Sequence, residues 1–340
     1  MGKIENINLG KLTTFGIHAL ADEFWEIQNR HELNMALDYI VGKSKNYFIL
    51  GGGSNTIFLK DFNGIVLQIR TKGISILNNS NDDVLIEVES GEIWDDFVKW
   101  TVEKNFYGLE NLAAIPGTVG ASPIQNIGAY GSEVKDTIES VEYIEILSGK
   151  IFRINNIDCK FGYRNSIFKE ELKNKVVILS VRFRLSKNKL LKMDYFDVKE
   201  ELKEYNLNDI NSLSIYNAIS TIRGRKLPDP KIVGNSGSFF KNPVITKELF
   251  NHLINKFPDL KYFYQNESEY KLAAGWMIEK SGWKGKSHGG CKVHENQALV
   301  ITNAGNAKAL DLLEIIEMIK QDVYRNFSVN IEPEVNLVKK

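Results

Sequence analysis

The eighteen residues from Ala114 to Gly131, AIPGTVGASPIQNIGAYG, leave the backbone little choice. Gly117, Gly120, Gly128 and Gly131, with Pro116 and Pro123, bar both a regular helix and a central strand. They interleave with mostly small or apolar residues, whereas a plain surface loop would be shorter and more charged. The segment suits a backbone that lines a large, flat, partly apolar ligand; it also suits an irregular packed crossover. A second glycine run, Gly51-Gly52-Gly53-Ser54-Asn55, follows the apolar stretch Tyr47-Phe48-Ile49-Leu50. Glycines here allow positive φ and close approach, and successive N–H groups can form an anion-binding nest to which Ser54 and Asn55 add polar side chains. It is not a dinucleotide-binding fingerprint. Its sixth position is Thr56, and no long helix follows before an expected turn at Asp61-Phe62-Asn63-Gly64. A tight strand-to-strand turn fits these residues as well as a phosphate loop does.

Around these segments the pattern is mixed α and β. Tyr47–Leu50, Ile65–Ile69 and Val84–Glu89 read as strands, and Glu92–Lys104 has helical apolar spacing. Ser148-Gly149-Lys150 separates the β-rich runs Val141–Leu147 and Ile151–Ile154 as a hairpin would. Val181, Phe183 and Leu185 alternate with Arg182 and Arg184, predicting a half-buried strand. Beyond about Ser186 helices dominate: one around Ile215–Ile222, stopped by Leu227-Pro228-Asp229-Pro230, one around Leu249–Ile254, and the longest over Asn306–Phe327. A final β run is expected over Ser328–Val338.

Charge and cysteine content exclude several roles. Lys and Arg together number 43 and so do Asp and Glu, so no whole-protein field favours nucleic acid or an anionic membrane. No stretch approaches the roughly 18 apolar residues of a membrane span, and the N-terminus lacks a cleavage signature. Cys159 and Cys291 form no C-x-x-C, which fits a reducing, cytoplasmic compartment. The five histidines show no metal-binding spacing, so no metal is expected.

Eight stretches in order make the chain resemble the UDP-N-acetylenolpyruvoylglucosamine reductase (UDP-N-acetylmuramate dehydrogenase) family. They are Thr14–Ile17, Gly51–Asn55, Ile115–Gly131, Phe161–Phe168, Lys226–Pro230, Gly237–Pro243, Lys271–Trp276 and Glu332–Val335. The longer segment between Phe257 and Lys271 looks like the subclass that keeps a substrate-covering loop. The resemblance implies an α+β fold with a two-part FAD-binding region of the PCMH, or vanillyl-alcohol-oxidase-like, kind and a smaller α+β substrate-binding domain. The parts would be 1–72, joined by the C-terminal strand 328–340, then 73–219, then 220–327. FAD would lie along Gly51, Gly52, Gly53, Ser54, Asn55, Ile115, Pro116, Gly117, Gly120, Ser122, Asn126, Gly128, Ala129 and Tyr130. Neither segment holds a histidine or cysteine for a covalent link, so the flavin should be non-covalent.

The same resemblance implies an activity of cell-wall synthesis, in which NADPH reduces the flavin and a UDP-linked enolpyruvyl group then takes hydride at C3. Charge developing at C2 and in the carboxylate needs a cation, and C2 then needs a proton. Arg164 matches the family's catalytic arginine, Glu334 its glutamate and Ser238 its proton donor. Arg223, Arg225, Lys226, Lys231 and Lys241 face only Asp229 in their stretch, a local excess that suits a pyrophosphate and equally a solvated basic face. Tyr163, Tyr195, Arg223, Lys226, Asn242 and Gln297 match substrate contacts. Two departures stand out. Phe263, between Tyr262 and Tyr264, occupies the register of the covering-loop tyrosine, and Asn336 stands where relatives commonly carry arginine. The resemblance implies no macromolecular partner and a monomer or weak oligomer. The competing readings are an FAD-dependent oxidase of the same flavin fold and a nucleotide-sugar binding protein without turnover.

Overall fold

The computed structural model describes residues 2–206 and 208–339; the expected domain ends at Met1 and Lys340 lie outside the described residues. The chain forms two compact units. The first takes the chain up to Ile7, Ala21–Gly52 and Phe62–Arg225; the second takes Asn8–Leu20, Gly53–Asp61 and everything from Lys226 onward. Segments 8–20 and 53–61 were expected with the N-terminal part. They belong to the C-terminal unit because Phe15, Ile17 and Ile57 are buried in its core beside Phe239, Phe240 and Ile301.

The first unit contains two sheets. In one, the strands Leu20–Ile27, Phe62–Ile69 and Tyr47–Leu50 run parallel, with Lys3–Asn8 at the edge. Parallel neighbours need a crossover. The helix Arg30–Lys43 crosses from Leu20–Ile27 to Tyr47–Leu50, the two strands that flank Phe62–Ile69; it is capped at its start by the Asn29 side chain and ended at Ser44 in the left-handed region. Its buried Leu33, Ala36, Leu37 and Ile40, spaced for one helix face, pack with Trp25, Ile27, Ile65 and Leu67. The Phe62–Ile69 strand begins inside the expected turn, because Phe62 pairs with Ala21 and is itself buried.

The other sheet is antiparallel, in the order Ile151–Asn155, Ile138–Glu145, Val176–Ser186, Asp83–Glu89, Ile74–Asn79. The Ser148-Gly149 hairpin is present, and Val176–Ser186 is the central strand. Val84, Ile86, Val88, Val181, Phe183 and Leu185 form a core with the helices Trp94–Glu103 and Ser212–Lys226. The expected half-buried strand is present, buried Val181, Phe183 and Leu185 alternating with the more exposed Arg182 and Arg184, and the two arginines are held in ion pairs. Arg153 and Arg182 share Glu87, while Arg184 bridges Glu139 and Asp83.

In the second unit the strands Gly234–Ser238, Val300–Asn303, Cys291–Val293 and Ser287–His288 form a sheet covered by Ala274–Lys280 and Ala309–Phe327. The long helix starts three residues later than its spacing predicts, because Asn303 Oδ1 accepts the N–H groups of Gly305 and Ala307 and holds that turn outside the helix. A three-stranded sheet, Val244–Thr246, Glu269–Leu272 and Tyr262–Tyr264, carries the helix Lys247–Lys256. Of the expected final β run only Asn336–Val338 is a strand, parallel to Thr56–Phe58. Ser328, at φ 56°, closes the preceding helix in the left-handed region, so the run does not begin there. Among the described residues no helix is long and apolar enough to cross a membrane.

The Glu87 network ties three strands of the antiparallel sheet together. Burial alone would push the Glu87 carboxyl up, but hydrogen bonds from Arg153, Arg182 and Ser180 outweigh it and hold the group below its ordinary value. A depressed carboxylate contributes stability that is complete above the unfolded pKa, about 4.3, and is lost as pH falls through the folded value. Glu87→Gln should therefore lower the melting temperature near neutral pH. The expected loss is at the low end of roughly 1.5–3 kcal/mol, because the group is partly exposed. The gap from the parent protein should close on acidification. Thermal melts from pH 7 to pH 3 measure both; a gap unchanged with pH would rule out this account.

Candidate active site

The two glycine segments meet in the first unit. The strand Tyr47–Leu50 delivers Gly51 and Gly52 to the second segment. A Cβ on Gly52 would lie 2.9 Å from the Gly117 Cα, so main chain packs on main chain with no side chain between. Gly51 is held by Gln68, whose amide donates to the Gly51 carbonyl at 3.1 Å. Gly53, at φ 69°, turns the chain into the second unit's residues, where any Cβ would strike the Leu12 carbonyl at 2.0 Å. There the Asn55 amide donates to the Glu334 carbonyl at 3.3 Å, and the Asn55 carbonyl accepts from Asn336 N–H at 3.0 Å.

The second segment is wound by its own hydrogen bonds. Val119–Ala121 makes a single tight turn, and the Ser122 hydroxyl donates to Val119 O at 2.7 Å. Asn126 is fully buried; its amide donates to Glu133 and to Gly162 O, and its carbonyl oxygen accepts from Lys135 N–H. The polar side chains of Ser122 and Asn126 therefore serve the loop itself, and a ligand would meet this stretch through its backbone and through exposed Pro116. Ala114, Asn126 and Tyr130 all have positive φ, as does Arg164. Left-handed non-glycine residues gather where surrounding structure over-determines them, commonly at functional sites.

Arg164 is brought to this segment. Gly162 and Asn165 exchange backbone hydrogen bonds at 3.0 and 3.2 Å, putting Tyr163 and Arg164 at the tip of a tight hairpin. The guanidinium lies over the Tyr163 ring and donates to Gly128 O at 2.6 Å and to Asn126 O at 3.5 Å. Nearby, Tyr130 and Tyr195 meet edge to face at 5.2 Å. Burial pushes both hydroxyls above their ordinary pKa, so each is a hydrogen-bond donor at neutral pH.

Ser238 and Glu334 belong to the second unit. Ser238 is exposed at the end of its strand, directly before buried Phe239 and Phe240. Glu334 N–H donates to Phe239 O at 2.8 Å, so the chain carrying Glu334 runs beside the chain carrying Ser238. Asn242 and Gln297 converge on the start of the helix Ala274–Lys280: Asn242 accepts from Ala274 N–H at 2.9 Å, and Gln297 Oε1 sits where a Cβ on Gly275 would lie 3.1 Å away.

The basic stretch does not act as one patch. Arg225 is paired with Glu201, and Lys241 lies 3.7 Å from Glu332. Arg223, placed by sequence among the substrate contacts, is turned into the first unit. It donates to Ala114 O at 3.1 Å and bonds the Tyr130 hydroxyl, and burial lowers its pKa. In the three-stranded sheet, Tyr262 and Tyr264 share a face with Tyr270, packed with Phe250. Phe263 lies opposite Lys271 on the other face, the ammonium 5.5 Å from its ring.

Sequence reasoning missed Asn111, which joins Tyr130 O to Lys192 O through its amide, and Asp95, which accepts from Ala114 N–H. No local signal marked Asn111, which stands in Leu109-Glu110-Asn111-Leu112-Ala113; Asp95 reads only as an acid favoured at a helix start.

Comparison with known proteins places this geometry in a family. A model described as UDP-N-acetylenolpyruvoylglucosamine reductase, C-terminal domain, matches residues 229–338, and an FAD binding domain model matches residues 23–155. UDP-N-acetylenolpyruvoylglucosamine reductase of Flavobacterium johnsoniae is 44% identical, and that of Pseudomonas aeruginosa 40%, each match covering 98% of both chains. The crystal structure of the Thermus caldophilus reductase shares the fold, with a TM-score of 0.67 at 22% identity over 99% of this chain and 98% of that one. With paired glycine segments, a hairpin-borne arginine and full-length relatives at this identity, the chain belongs to the UDP-N-acetylenolpyruvoylglucosamine reductase family.

Proposed function

We propose that this chain reduces the enolpyruvyl group of UDP-N-acetylenolpyruvoylglucosamine to give UDP-N-acetylmuramate, with NADPH as reductant and non-covalent FAD as the carrier, in the cytoplasm of a bacterium building peptidoglycan. The observation that carries this reading is the seating of Arg164 on the carbonyls of Asn126 and Gly128, which sets a fixed cation against the segment expected to line the flavin. The residues fit that cofactor: bare backbone at Gly51, Gly52 and Gly117 admits close approach, and neither segment offers a thiol or imidazole for attachment. When bound, FAD supplies hydride.

The chain's own residues supply the rest. Arg164 takes up the charge that grows on the substrate carboxylate, and its planar fork suits that group. Ser238, exposed on its strand end, gives C2 its proton, and Glu334 acts on the same side of the chemistry, held by its backbone to Phe239. Lys226 binds the pyrophosphate, with Tyr163, Tyr195, Asn242 and Gln297 as further contacts. Arg223 is left out of that clamp because its bonds go to Ala114 and Tyr130. The sheet carrying Tyr262–Tyr264 is the covering element of the longer subclass. The domain reading has 1–72 with 328–340 and 73–219 as flavin-binding parts and 220–327 as the substrate part, with segments 8–20 and 53–61 packed among the residues from Lys226 onward. The enzyme works as a monomer or weak oligomer.

The two half-reactions separate these roles. Flavin reduction by NADPH needs no proton at C2, so Ser238→Ala should bleach at a near-normal rate. Reoxidation by the enolpyruvyl substrate should slow by roughly 10²–10⁴-fold. Arg164→Lys should show the same asymmetry. Stopped-flow absorbance resolves the steps; equal slowing of both would mean a displaced flavin, and normal reoxidation would remove Ser238 from proton delivery.

Lys226→Ala should raise the Michaelis constants for the UDP-sugar and for NADPH alike, each by about 10-fold or more for a lost charge-assisted bond of about 1.5–3 kcal/mol. Unchanged constants for both would take Lys226 out of the site. For the covering sheet, the face shared with Lys271 points to Phe263. Phe263→Ala should weaken UDP-sugar binding while Tyr262→Phe and Tyr264→Phe do not; the reverse pattern would assign the contact to a tyrosine hydroxyl.

A further inference from the structure

Ala114 stands one residue before Ile115-Pro116-Gly117, with φ 55°. Alanine has no polar side chain to bond locally in the left-handed region, so the conformation must be imposed from outside. Both of its peptide groups are gripped. Its N–H donates to Asp95 Oδ1 at 2.5 Å, and its carbonyl accepts from Arg223 Nε at 3.1 Å. The gripping side chains come from two helices, Trp94–Glu103 and Ser212–Lys226, whose apolar faces are sunk in one core. Each is braced in turn. Asp95 Oδ2 accepts from the Tyr216 hydroxyl at 3.1 Å, and Arg223 bonds the Tyr130 hydroxyl. Tyr216 and Arg223 lie seven residues apart on their helix, two turns along one face. The Tyr216 hydroxyl is pushed up to about 12, by burial first and then by Asp95, so it stays a donor.

We infer that Asp95 and Arg223 are positioning residues: they clamp Ala114 in the left-handed conformation and so fix the Ile115–Gly117 backbone in the form that receives FAD. This rests on the reading of that segment as flavin-lining. Without the clamp, Ala114 relaxes to an ordinary conformation, because the left-handed one is disfavoured for a residue with a Cβ. The binding-competent fraction falls, and apparent affinity falls with it. A glycine at 114 has no such penalty and does not need the clamp.

The test is FAD binding to the flavin-free protein, followed by fluorescence, for the parent, Asp95→Ala, Ala114→Gly and the double variant. The parent binds FAD, and Asp95→Ala raises the dissociation constant by about 10-fold, as a conformational penalty of about 1–2 kcal/mol requires. Ala114→Gly alone stays within a few-fold of the parent, and in the Asp95→Ala background it restores most of the lost affinity. Rescue is the deciding outcome, since a merely destabilised fold would not be repaired by a glycine. Asp95→Asn keeps the shape and one acceptor, and it replaces Asp95→Ala if that variant does not fold; a smaller loss, again rescued by Ala114→Gly, is expected. Parent-like binding in the Asp95 variants, or a loss that glycine fails to rescue, overturns the inference. A parent that binds no FAD would instead refute the cofactor reading on which it rests.

Discussion

The contact on which the site depends is that of Gly52 with Gly117. Two stretches of main chain approach so closely that a single methyl group could not be inserted between them. Side-chain packing tolerates exchange of one apolar residue for another of similar volume, but backbone packed on backbone tolerates nothing. The end of the Tyr47–Leu50 strand is thereby locked to the second glycine segment. That strand sits in a parallel sheet whose neighbours and crossover helix fix it in turn. The second segment is locked from its other flank by Val119 and Gly120, whose N–H groups bond Glu92 O and Ser90 O.

Strain is concentrated where this locking is tightest. Ala114, Asn126, Tyr130 and Arg164 each hold a conformation that costs an ordinary residue about 1–2 kcal/mol. Each is offset by a different partner. Ala114 has Asp95 and Arg223, Asn126 its own buried side-chain bonds, Tyr130 the Asn111 amide on its carbonyl, and Arg164 the hairpin bonds of Gly162 and Asn165. None of these partners is adjacent in sequence to the residue that it holds, apart from Asn165 beside Arg164. At Ala114 the strained conformation is held only once the two helices that supply Asp95 and Arg223 have packed around it.

That non-local support explains what could be read from the sequence. The Trp94–Glu103 and Ser212–Lys226 helices, the Ser148-Gly149 hairpin and the two glycine segments were legible, because apolar spacing and glycine placement are local signals. The family resemblance singled out the arginine of the Phe161–Phe168 stretch and the serine of Gly237–Pro243 as candidates. What stayed hidden depends on distant partners. The alternation over Val181–Leu185 marks the half-buried strand that is found, but it does not show that Glu87, Glu139 and Asp83 from other strands pair with Arg182 and Arg184. The basic stretch from Arg223 to Lys241 reads as one patch because sequence does not reveal that Arg223 turns inward and Arg225 meets Glu201. Segments 8–20 and 53–61 look N-terminal but share a core with residues after Phe239.

The placement of Arg164 suits an arginine better than a lysine. Its guanidinium is seated on the carbonyls of Gly128 and Asn126, at 2.6 and 3.5 Å, and lies against the Tyr163 ring. A lysine ammonium is a compact point charge that could take one of those carbonyls but could neither span both nor stack on the ring. Orientation by two backbone dipoles means that the cation does not have to reorganise as charge grows on a bound carboxylate, which is the condition under which electrostatic stabilisation is most effective. Those dipoles belong to the same strained segment that is expected to carry the flavin. The geometry of the cation and that of the cofactor bed are thus one variable, and a change that relaxes the segment must shift both together.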